Sequence, residues 1–174
     1  MKKNLGFSSF EFYFVVSVIG LILIVGIQRY FKLAEDTRRL SFEILAKNFS
    51  AAVYNHHSHW IMAQQSPDKN YQIVVDDSVI QFSLQGWPLA VDVDQSGGEN
   101  VSLAGCVSLW NTFLQNPPAI SSSDEKPSNS RPYHVKLTAD KKCRYELMAT
   151  GFYFEYSPFS GQVKAYTTSI AKNS

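Results

Sequence analysis

The chain has 174 residues, enough for an N-terminal segment plus one globular domain of common size. Its charge is nearly balanced, with 16 Lys and Arg residues against 15 Asp and Glu residues, which argues against a basic nucleic-acid-binding surface or an acidic tail. Aromatic residues make up 14% of the chain, a content that favours a folded domain with a packed core over disorder.

The N-terminal segment joins a short basic leader to a long apolar run. Lys2 and Lys3 precede Gly6, and the run from Phe7 to Ile27 contains one charged residue, Glu11. As a helix, the 21 residues of this run would extend about 31 Å, the thickness of one hydrocarbon core. The run is longer than the apolar part of a secretory signal peptide and lacks a small-residue cleavage site, so we expect a membrane anchor rather than a cleaved signal.

The orientation signal is mixed. The leader lysines favour a cytoplasmic N-terminus. Four basic residues that follow the apolar run weaken this signal: Arg29, Lys32, Arg38 and Arg39.

The single acid within the run distinguishes it from a plain anchor. A charged side chain in hydrocarbon costs on the order of 3 kcal/mol, so such a residue usually has a partner. Cleavage after Gly6 would give Phe7 a new α-amino group, one helical turn before Glu11. We therefore hypothesise that Glu11 pairs with this amine, in the same chain or in a neighbouring copy, as the subunit enters an assembly.

The block Gly6-Phe7-Ser8-Ser9-Phe10-Glu11, with its basic leader and apolar helix, resembles the class III signal of type IV pilins and pseudopilins. The resemblance implies that a prepilin peptidase cuts between Gly6 and Phe7, that Phe7 is N-methylated, and that Glu11 is the assembly glutamate. It also implies three regions: a leader over 1–6, a transmembrane and assembly half of the helix over 7–28, and a periplasmic or filament-surface domain over 29–174.

Two features depart from the usual pattern of that family. Ser9-Phe10 stands where an aliphatic pair usually precedes the acid, which bears on the efficiency of processing. No proline occurs near Gln28, where one often follows the apolar helix, so any loosening of the helix in an assembly would have to use Gly20 and Gly26.

The helical pattern continues well beyond the apolar run. Gly and Pro are absent between Gln28 and Ser66, and Pro67 supplies a stop signal. Residues at steps of three and four form an apolar stripe: Phe42, Leu45, Phe49, Val53, His56, Trp60 and Ala63. We predict one continuous helix from about Ser8 to Gln65, whose second half packs against a sheet.

Three histidines lie close together near the end of this helix. His56 and His59 are three residues apart and share a face, which admits a metal site, but His57 points elsewhere and no second ligand cluster is evident. The favoured interpretation places one histidine where the helix meets the sheet and the others in solvent.

The C-terminal half begins with a predicted hairpin. Segments 71–75 and 79–84 are strand-like, residues 76–78 have a turn composition, and Gly86-Trp87-Pro88 ends the unit. A loop is expected over 92–100.

A short helix and a weakly patterned stretch come next. Leu103, Cys106 and Trp110 lie on one helical face, and a double proline at 117–118 stops the helix. Residues 116–132 have the composition of a mobile surface loop, with a partner-binding element as the alternative.

Four predicted strands close the chain: Tyr133–Thr138, Cys143–Ala149, Phe152–Tyr156 and Gln162–Thr167. Alternating residues offer a sheet face for the long helix: Tyr145, Leu147, Phe152, Phe154 and Tyr156. The predicted fold class is therefore α+β, with a long N-terminal helix packed on an antiparallel β-sheet, and this is also the type IV pilin fold that the resemblance implies.

Cys106 and Cys143 are the only cysteines. In an oxidising compartment we expect them to form a disulfide, which in the chain-entropy model contributes about 4 kcal/mol and would tie the short helix to the C-terminal sheet. The cysteine count alone leaves two unrelated buried thiols open.

Short blocks in the C-terminal domain are similar to the MSHA (mannose-sensitive haemagglutinin) minor pilins of Gram-negative bacteria, in particular their MshF-like members. The blocks are GWP at 86–88, CVSLW at 106–110, LQNPP at 114–118, CRY at 143–145, YFEYS at 153–157 and SGQV at 160–163. The resemblance implies a structural minor pilin that assembles into, primes or caps a type IV pilus and contributes to attachment or motility.

The same resemblance implies partners and a location. The partners are other pilin subunits, major and minor, together with the prepilin peptidase and the inner-membrane assembly platform; no nucleic acid is expected. The chain would cross the inner membrane once, with a cytoplasmic N-terminus and a periplasmic domain, before it reaches the pilus. The alternatives are a pseudopilin of a type II secretion system and a membrane-tethered adhesin.

No catalytic motif is found, since GxSxG, HExxH, P-loop and GxGxxG patterns are all missing, so neither an enzymatic activity nor a cofactor is predicted. The acidic pairs Asp76-Asp77 and Asp92-x-Asp94 have too few ligands for a Ca²⁺ loop and are interpreted as solvated turns. Aromatic residues in a domain of this size are mostly core, which is the expectation for Trp87, Trp110 and Tyr133 over a sugar-binding patch.

Overall fold

The computed structural model describes residues 9–63, 71–92, 100–122 and 130–167. These residues form two helices, α1 (Ser9–Ala63) and α2 (Leu103–Phe113). They also form eight strands: β1 (Gln72–Val75), β2 (Ser78–Phe82), β3 (Pro88–Val91), β4 (Ile120–Ser122), β5 (Tyr133–Leu137), β6 (Cys143–Leu147), β7 (Phe152–Tyr156) and β8 (Val163–Tyr166). The chain divides between Leu40 and Ser41 of α1 into two compact units.

The long helix is confirmed as one continuous element of 55 residues. In the second unit it buries Phe42, Ala46, Phe49 and Val53, at steps of four, three and four. Up to Val53 this is the predicted stripe with one exchange, because Ala46 is buried and Leu45 is half-buried. Farther along, the predicted stripe is less buried, since His56 and Trp60 are half-buried and Ala63 is exposed. Residues that repeat at about 3.6 positions lie on one side of a helix, and over this part of α1 that side faces the sheet.

The smaller sheet has three antiparallel strands in the order β1-β2-β3. The predicted hairpin is confirmed, and its turn consists of Asp76 and Asp77, both with positive φ (47° and 64°), between the paired Val75 and Ser78. Two central residues with positive φ define a type I′ turn, whose twist suits a two-residue hairpin, and Asp tolerates this conformation better than most residues.

The hairpin ends at Phe82, before Gly86-Trp87-Pro88, as predicted, but a third strand that the sequence did not predict follows it. A tight turn, in which the backbone N–H of Ser83 donates to Trp87 and that of Gly86 donates to Ser83, redirects the chain into β3. Pro88 then begins β3 opposite Phe82, a first-strand position where the missing N–H is tolerated.

The larger sheet has five strands in the order β4-β5-β6-β7-β8. The four predicted C-terminal strands are confirmed, and β5 to β8 pair antiparallel. The prediction of a loop throughout 116–132 is wrong for Ile120–Ser122, because these residues form β4 and pair parallel with β5. The sheet is therefore mostly antiparallel, and the α+β class stands.

Aromatic side chains join α1 to the larger sheet. Phe49 lies 5.3 Å from Tyr145, 5.4 Å from Phe154 and 5.6 Å from Tyr156, measured between ring centroids. Tyr145 and Phe154 are register partners on β6 and β7, so their side chains share the sheet face that α1 covers. All four rings are fully buried, which makes this cluster the centre of the second unit's core.

The second helix packs on the same core, where Trp110 stacks on Tyr145 with ring centroids 5.2 Å apart. Ser102 caps α2 by accepting a hydrogen bond from the N–H of Gly105 at 2.9 Å. At Gly105 a side chain would meet the carbonyl oxygen of Leu89, so glycine lets α2 approach β3 closely. Cys106, Leu109 and Trp110 follow on the buried face of the helix.

Candidate functional site

The first half of α1 exposes apolar side chains over the length of a membrane. Within Ser9–Ala63, an 18-residue window has a mean hydropathy of 2.5, and none of it is buried. Among the described residues this is the one helix long and apolar enough to cross a bilayer. The finding is compatible with single-pass membrane anchoring of the chain.

Glu11 lies in the first turn of the described helix. Phe10, Phe14 and Val15 line a recess of about 270 Å³ beside it, so these described neighbours on the helix are apolar. Gly6 and Phe7, the predicted cleavage and methylation positions, lie outside the described residues. Pairing between Glu11 and a Phe7 amine therefore stays a prediction.

The two cysteines form the expected disulfide. Cys106 on α2 and Cys143 at the start of β6 are bonded, with their Cα atoms 5.6 Å apart, and both are fully buried. The bond joins positions 37 apart in the sequence, for which the chain-entropy model gives about 4 kcal/mol. It fixes α2 to the larger sheet.

Two buried tyrosines on that sheet hold distant backbone in place. The hydroxyl of Tyr145 donates to the carbonyl of Cys106 at 2.8 Å, and that of Tyr156 donates to the carbonyl of Pro88 at 2.7 Å. Burial raises the pKa of both phenols well above the ordinary value, and the proximity of Tyr145 raises that of Tyr156 further. Both therefore stay protonated donors, a role that the alternating strand pattern does not reveal.

The interpretation that two of the three histidines lie in solvent is wrong, because all three are half-buried. The ring of His57 stacks on Trp87 with centroids 3.8 Å apart, and its Nδ1 lies 2.7 Å from the carbonyl oxygen of Gly86. The ring of His56 stacks on Phe113, with centroids 4.6 Å apart.

His56 has a perturbed acid–base equilibrium. Burial lowers the pKa of His56 below its ordinary value, and the nearby His59 lowers it further, while Asp76 opposes both. Throughout the described ranges, no three His, Cys, Asp or Glu side chains are grouped so as to hold a metal ion. The rings of His56 and His57 pack against Phe113 and Trp87 in the second unit.

The aromatic residues considered for a sugar-binding patch contribute to the core. Trp110 is fully buried, and its Nε1 donates to the carbonyl of Pro118 at 2.9 Å. Tyr133 is half-buried against Phe42 and Trp110. Trp87, also half-buried, covers Gly161, where a side chain would overlap its ring.

The acidic pairs are turn residues, as far as they are described. Asp76 and Asp77 form the exposed β1–β2 turn. The Oδ1 of Asp92 accepts a hydrogen bond from the N–H of Val79 at 2.7 Å, which fixes the end of β3 beside β2. Asp94 lies outside the described residues.

Comparison with family models, with curated proteins and with solved structures finds no match for this chain.

Proposed function

We propose that this chain is a structural minor pilin, which assembles into, primes or caps a filament of the type IV pilus class through the first half of α1. The observation that carries the proposal is the composition of that half-helix: apolar side chains exposed over a membrane's length, with one acid, Glu11, in its first turn. The proposal involves no catalytic step and no cofactor.

A helix that is apolar on all sides is stable only where water is excluded. A bilayer provides such surroundings, and so does the centre of a filament in which equivalent helices pack together. In this proposal the half-helix is used in both: it anchors the subunit before assembly and then packs against neighbouring copies. Exposed side chains of this segment include Phe12, Val16, Ile19, Leu23 and Ile27.

The presence of Glu11 favours a role of this half-helix in filament assembly over a role as a permanent anchor. A carboxylate within hydrocarbon costs on the order of 3 kcal/mol, and an anchor gains nothing from it. We propose that the prepilin peptidase cuts after Gly6 and methylates Phe7, and that the new amine of Phe7 pairs with Glu11 of a neighbouring subunit. Transfer from membrane to filament then becomes favourable because the two charges neutralise each other.

The proposed location is the inner membrane, with the second unit in the periplasm and later at the filament surface. The disulfide between Cys106 and Cys143 supports an oxidising compartment for that unit, because such bonds are rare in reducing cytoplasm. Major and minor pilin subunits and the inner-membrane assembly platform are the proposed partners.

The deciding experiment replaces Glu11 with Ala in the cell of origin. We expect Glu11→Ala to stay in the membrane fraction but to fall at least tenfold in sheared filaments. Glu35→Ala, which removes an exposed acid from the same helix, is the matched control and should leave filament content unchanged. Undiminished recovery of Glu11→Ala in filaments would contradict the assembly role.

Intact mass tests the processing step. The mature chain should begin at Phe7 and carry one additional methyl group, whereas a chain beginning at Met1 would reduce the protein to an unprocessed anchor. A type II secretion pseudopilin is indicated if deletion abolishes secretion and leaves pili intact. A tethered adhesin is indicated if piliation survives deletion and attachment is lost.

A further inference from the structure

The outer face of the larger sheet contains a polar cleft of about 240 Å³ where β7 turns into β8. We call it the turn cleft. Its lining side chains include Lys142, Glu155, Ser157, Ser160, Lys164 and Tyr166. The cleft lies on the sheet face opposite α1, since Lys164 and Tyr166 alternate with Val163 and Ala165, which line a separate groove beside α1.

The turn that forms one wall is held by backbone hydrogen bonds. The N–H of Ser157 donates to the carbonyl of Gln162 at 3.0 Å, and the N–H of Gly161 donates to the carbonyl of Ser157 at 2.9 Å. Gly161 adopts a φ of 68°, and the ring of Trp87 packs against it. The backbone of the turn is thus fixed, while the hydroxyls of Ser157 and Ser160 have no hydrogen-bond partner among the residues with described positions.

The charge of the cleft is positive. Lys164 forms no ion pair within the described ranges, and Lys142 lies 3.6 Å from an Asp140 carboxylate that is 78% exposed, a pair of small energetic weight. Arg144 compensates Glu155, because its Nε and Nη2 donate to Oε1 at 2.9 and 2.6 Å. Two lysines therefore line the cleft against one carboxylate that Arg144 compensates.

An aromatic ring supplies an apolar wall. Tyr166 stacks on Tyr153 with centroids 4.7 Å apart, and Arg144 lies 4.3 Å from the Tyr153 centroid. This stack orients the ring of Tyr166, which nevertheless remains 40% exposed. The free part of the ring borders the cleft.

We infer that the turn cleft binds an acidic sugar unit, a six-membered ring bearing a carboxylate, within a surface polysaccharide. The carboxylate pairs with Lys142 and Lys164, the sugar hydroxyls bond to Ser157 and Ser160, and a C–H face of the ring packs on Tyr166. The volume is below the roughly 300–1,000 Å³ of drug-sized pockets, which suits a single ring. This ligand role goes beyond the proposed filament role and is measured independently of it.

The test uses the full chain in a detergent without a sugar headgroup, titrated with trigalacturonate and with neutral maltotriose by saturation-transfer NMR. We expect trigalacturonate to bind, maltotriose to bind at least tenfold more weakly, and affinity for the acidic sugar to fall severalfold as salt rises from about 50 to 300 mM. Binding of both sugars alike, or of neither, overturns the inference.

Variants locate the site. We expect Lys142→Gln/Lys164→Gln to weaken trigalacturonate binding at least tenfold, whereas Lys47→Gln/Lys136→Gln, which removes the same two charges elsewhere, should change it less than twofold. Loss of binding in the control pair, or retention in the cleft pair, contradicts the assignment.

Variants of Tyr166 distinguish recognition of the sugar ring from recognition of its carboxylate. Tyr166→Phe should retain binding and Tyr166→Ala should lose it, with unchanged near-ultraviolet circular dichroism as the check on folding. Inorganic phosphate is the probe for a bare anion site. If phosphate binds as tightly as trigalacturonate and Tyr166→Ala has no effect, the cleft is an anion site and the sugar assignment fails.

Discussion

Phe49 contacts four aromatic side chains in the core of the second unit. Its ring is fully buried and lies within 6 Å of Phe113, Tyr145, Phe154 and Tyr156. These partners come from α2 and from two strands of the larger sheet. One side chain of α1 therefore contacts both α2 and the sheet. Aromatic pairs add about 0.5–1.5 kcal/mol each beyond the area they bury.

We expect Phe49→Ala to lower the free energy of unfolding of the second unit by about 3–5 kcal/mol, because it removes a buried ring and leaves a cavity. Urea titration of the full chain, followed by tryptophan fluorescence, measures the loss. Ile44→Ala, at an exposed position of the same helix, should cost less than about 1 kcal/mol. Equal losses in the two variants would show that Phe49 is not central to the core.

His56 makes the stability of the second unit depend on pH. Burial lowers its pKa in the folded chain below the unfolded value of 6.5, so on acidification the unfolded chain takes up the proton first. The contribution is therefore fully present above about pH 6.5 and declines as pH falls from there toward the lowered folded value. The urea midpoint should decrease between pH 7.5 and 5.

His56→Gln should reduce this pH dependence, because glutamine does not titrate in that range. His134→Gln, which removes a histidine from β5, is the control and should keep it. An identical pH profile for the native chain and His56→Gln would assign the titration to other groups.

At the scale of elements, α2 is held to its neighbours by more than packing. The disulfide joins it to β6, the Tyr145 hydroxyl bonds to its backbone, and Gly105 brings it against β3. Loss of the covalent link leaves the other two contacts in place but frees the unfolded chain.

We expect Cys106→Ser/Cys143→Ser to lower the free energy of unfolding by about 2–5 kcal/mol, since the unfolded chain regains the entropy of an open loop and two hydroxyls are buried in place of the bond. Reduction of the native chain with dithiothreitol should produce a comparable loss. A change below about 1 kcal/mol under both treatments would show that the noncovalent contacts alone hold α2.

The elements that periodicity predicts are those with long or strongly alternating patterns. The 3.6-residue stripe of α1 and the alternation of Tyr145, Phe152, Phe154 and Tyr156 were sufficient for the helix and for β6 and β7. Strand β3 was not predicted, because Gly86 and Pro88 lie at its start and such residues normally end strands. Strand β4 has three residues, too few for a period, and its parallel partner lies beyond the next loop.

The site is less predictable than the fold. The disulfide could be predicted from the cysteine count and the assumed compartment. The importance of Glu11 could be predicted from its charge within an apolar run. The tyrosine hydroxyls donate to backbone carbonyls 39 and 68 positions away, which no local pattern encodes. The turn cleft likewise depends on residues from three separate segments, brought together only by the strand register.

At the scale of the whole molecule, the two units differ in how they satisfy the hydrophobic effect. Residues from Ser41 onward bury an aromatic core of their own, whereas the apolar segment of the first unit has no buried residue in its span. Such a segment is stable only in surroundings that exclude water. This division is the physical basis of the proposed assembly function.

The disulfide also limits how far the chain can be drawn out by a mechanical load. In the proposed filament role the subunit would be under tension, and a polypeptide that is pulled straight lengthens by up to about 3.3–3.6 Å per residue. The segment from Cys106 to Cys143, a sequence separation of 37, is excluded from that lengthening, because force passes through the covalent bond instead. The maximum extension is shortened by about 120–130 Å. The part of α2 from Cys106 onward, together with β4 and β5, bears no load while the rest of the chain is extended.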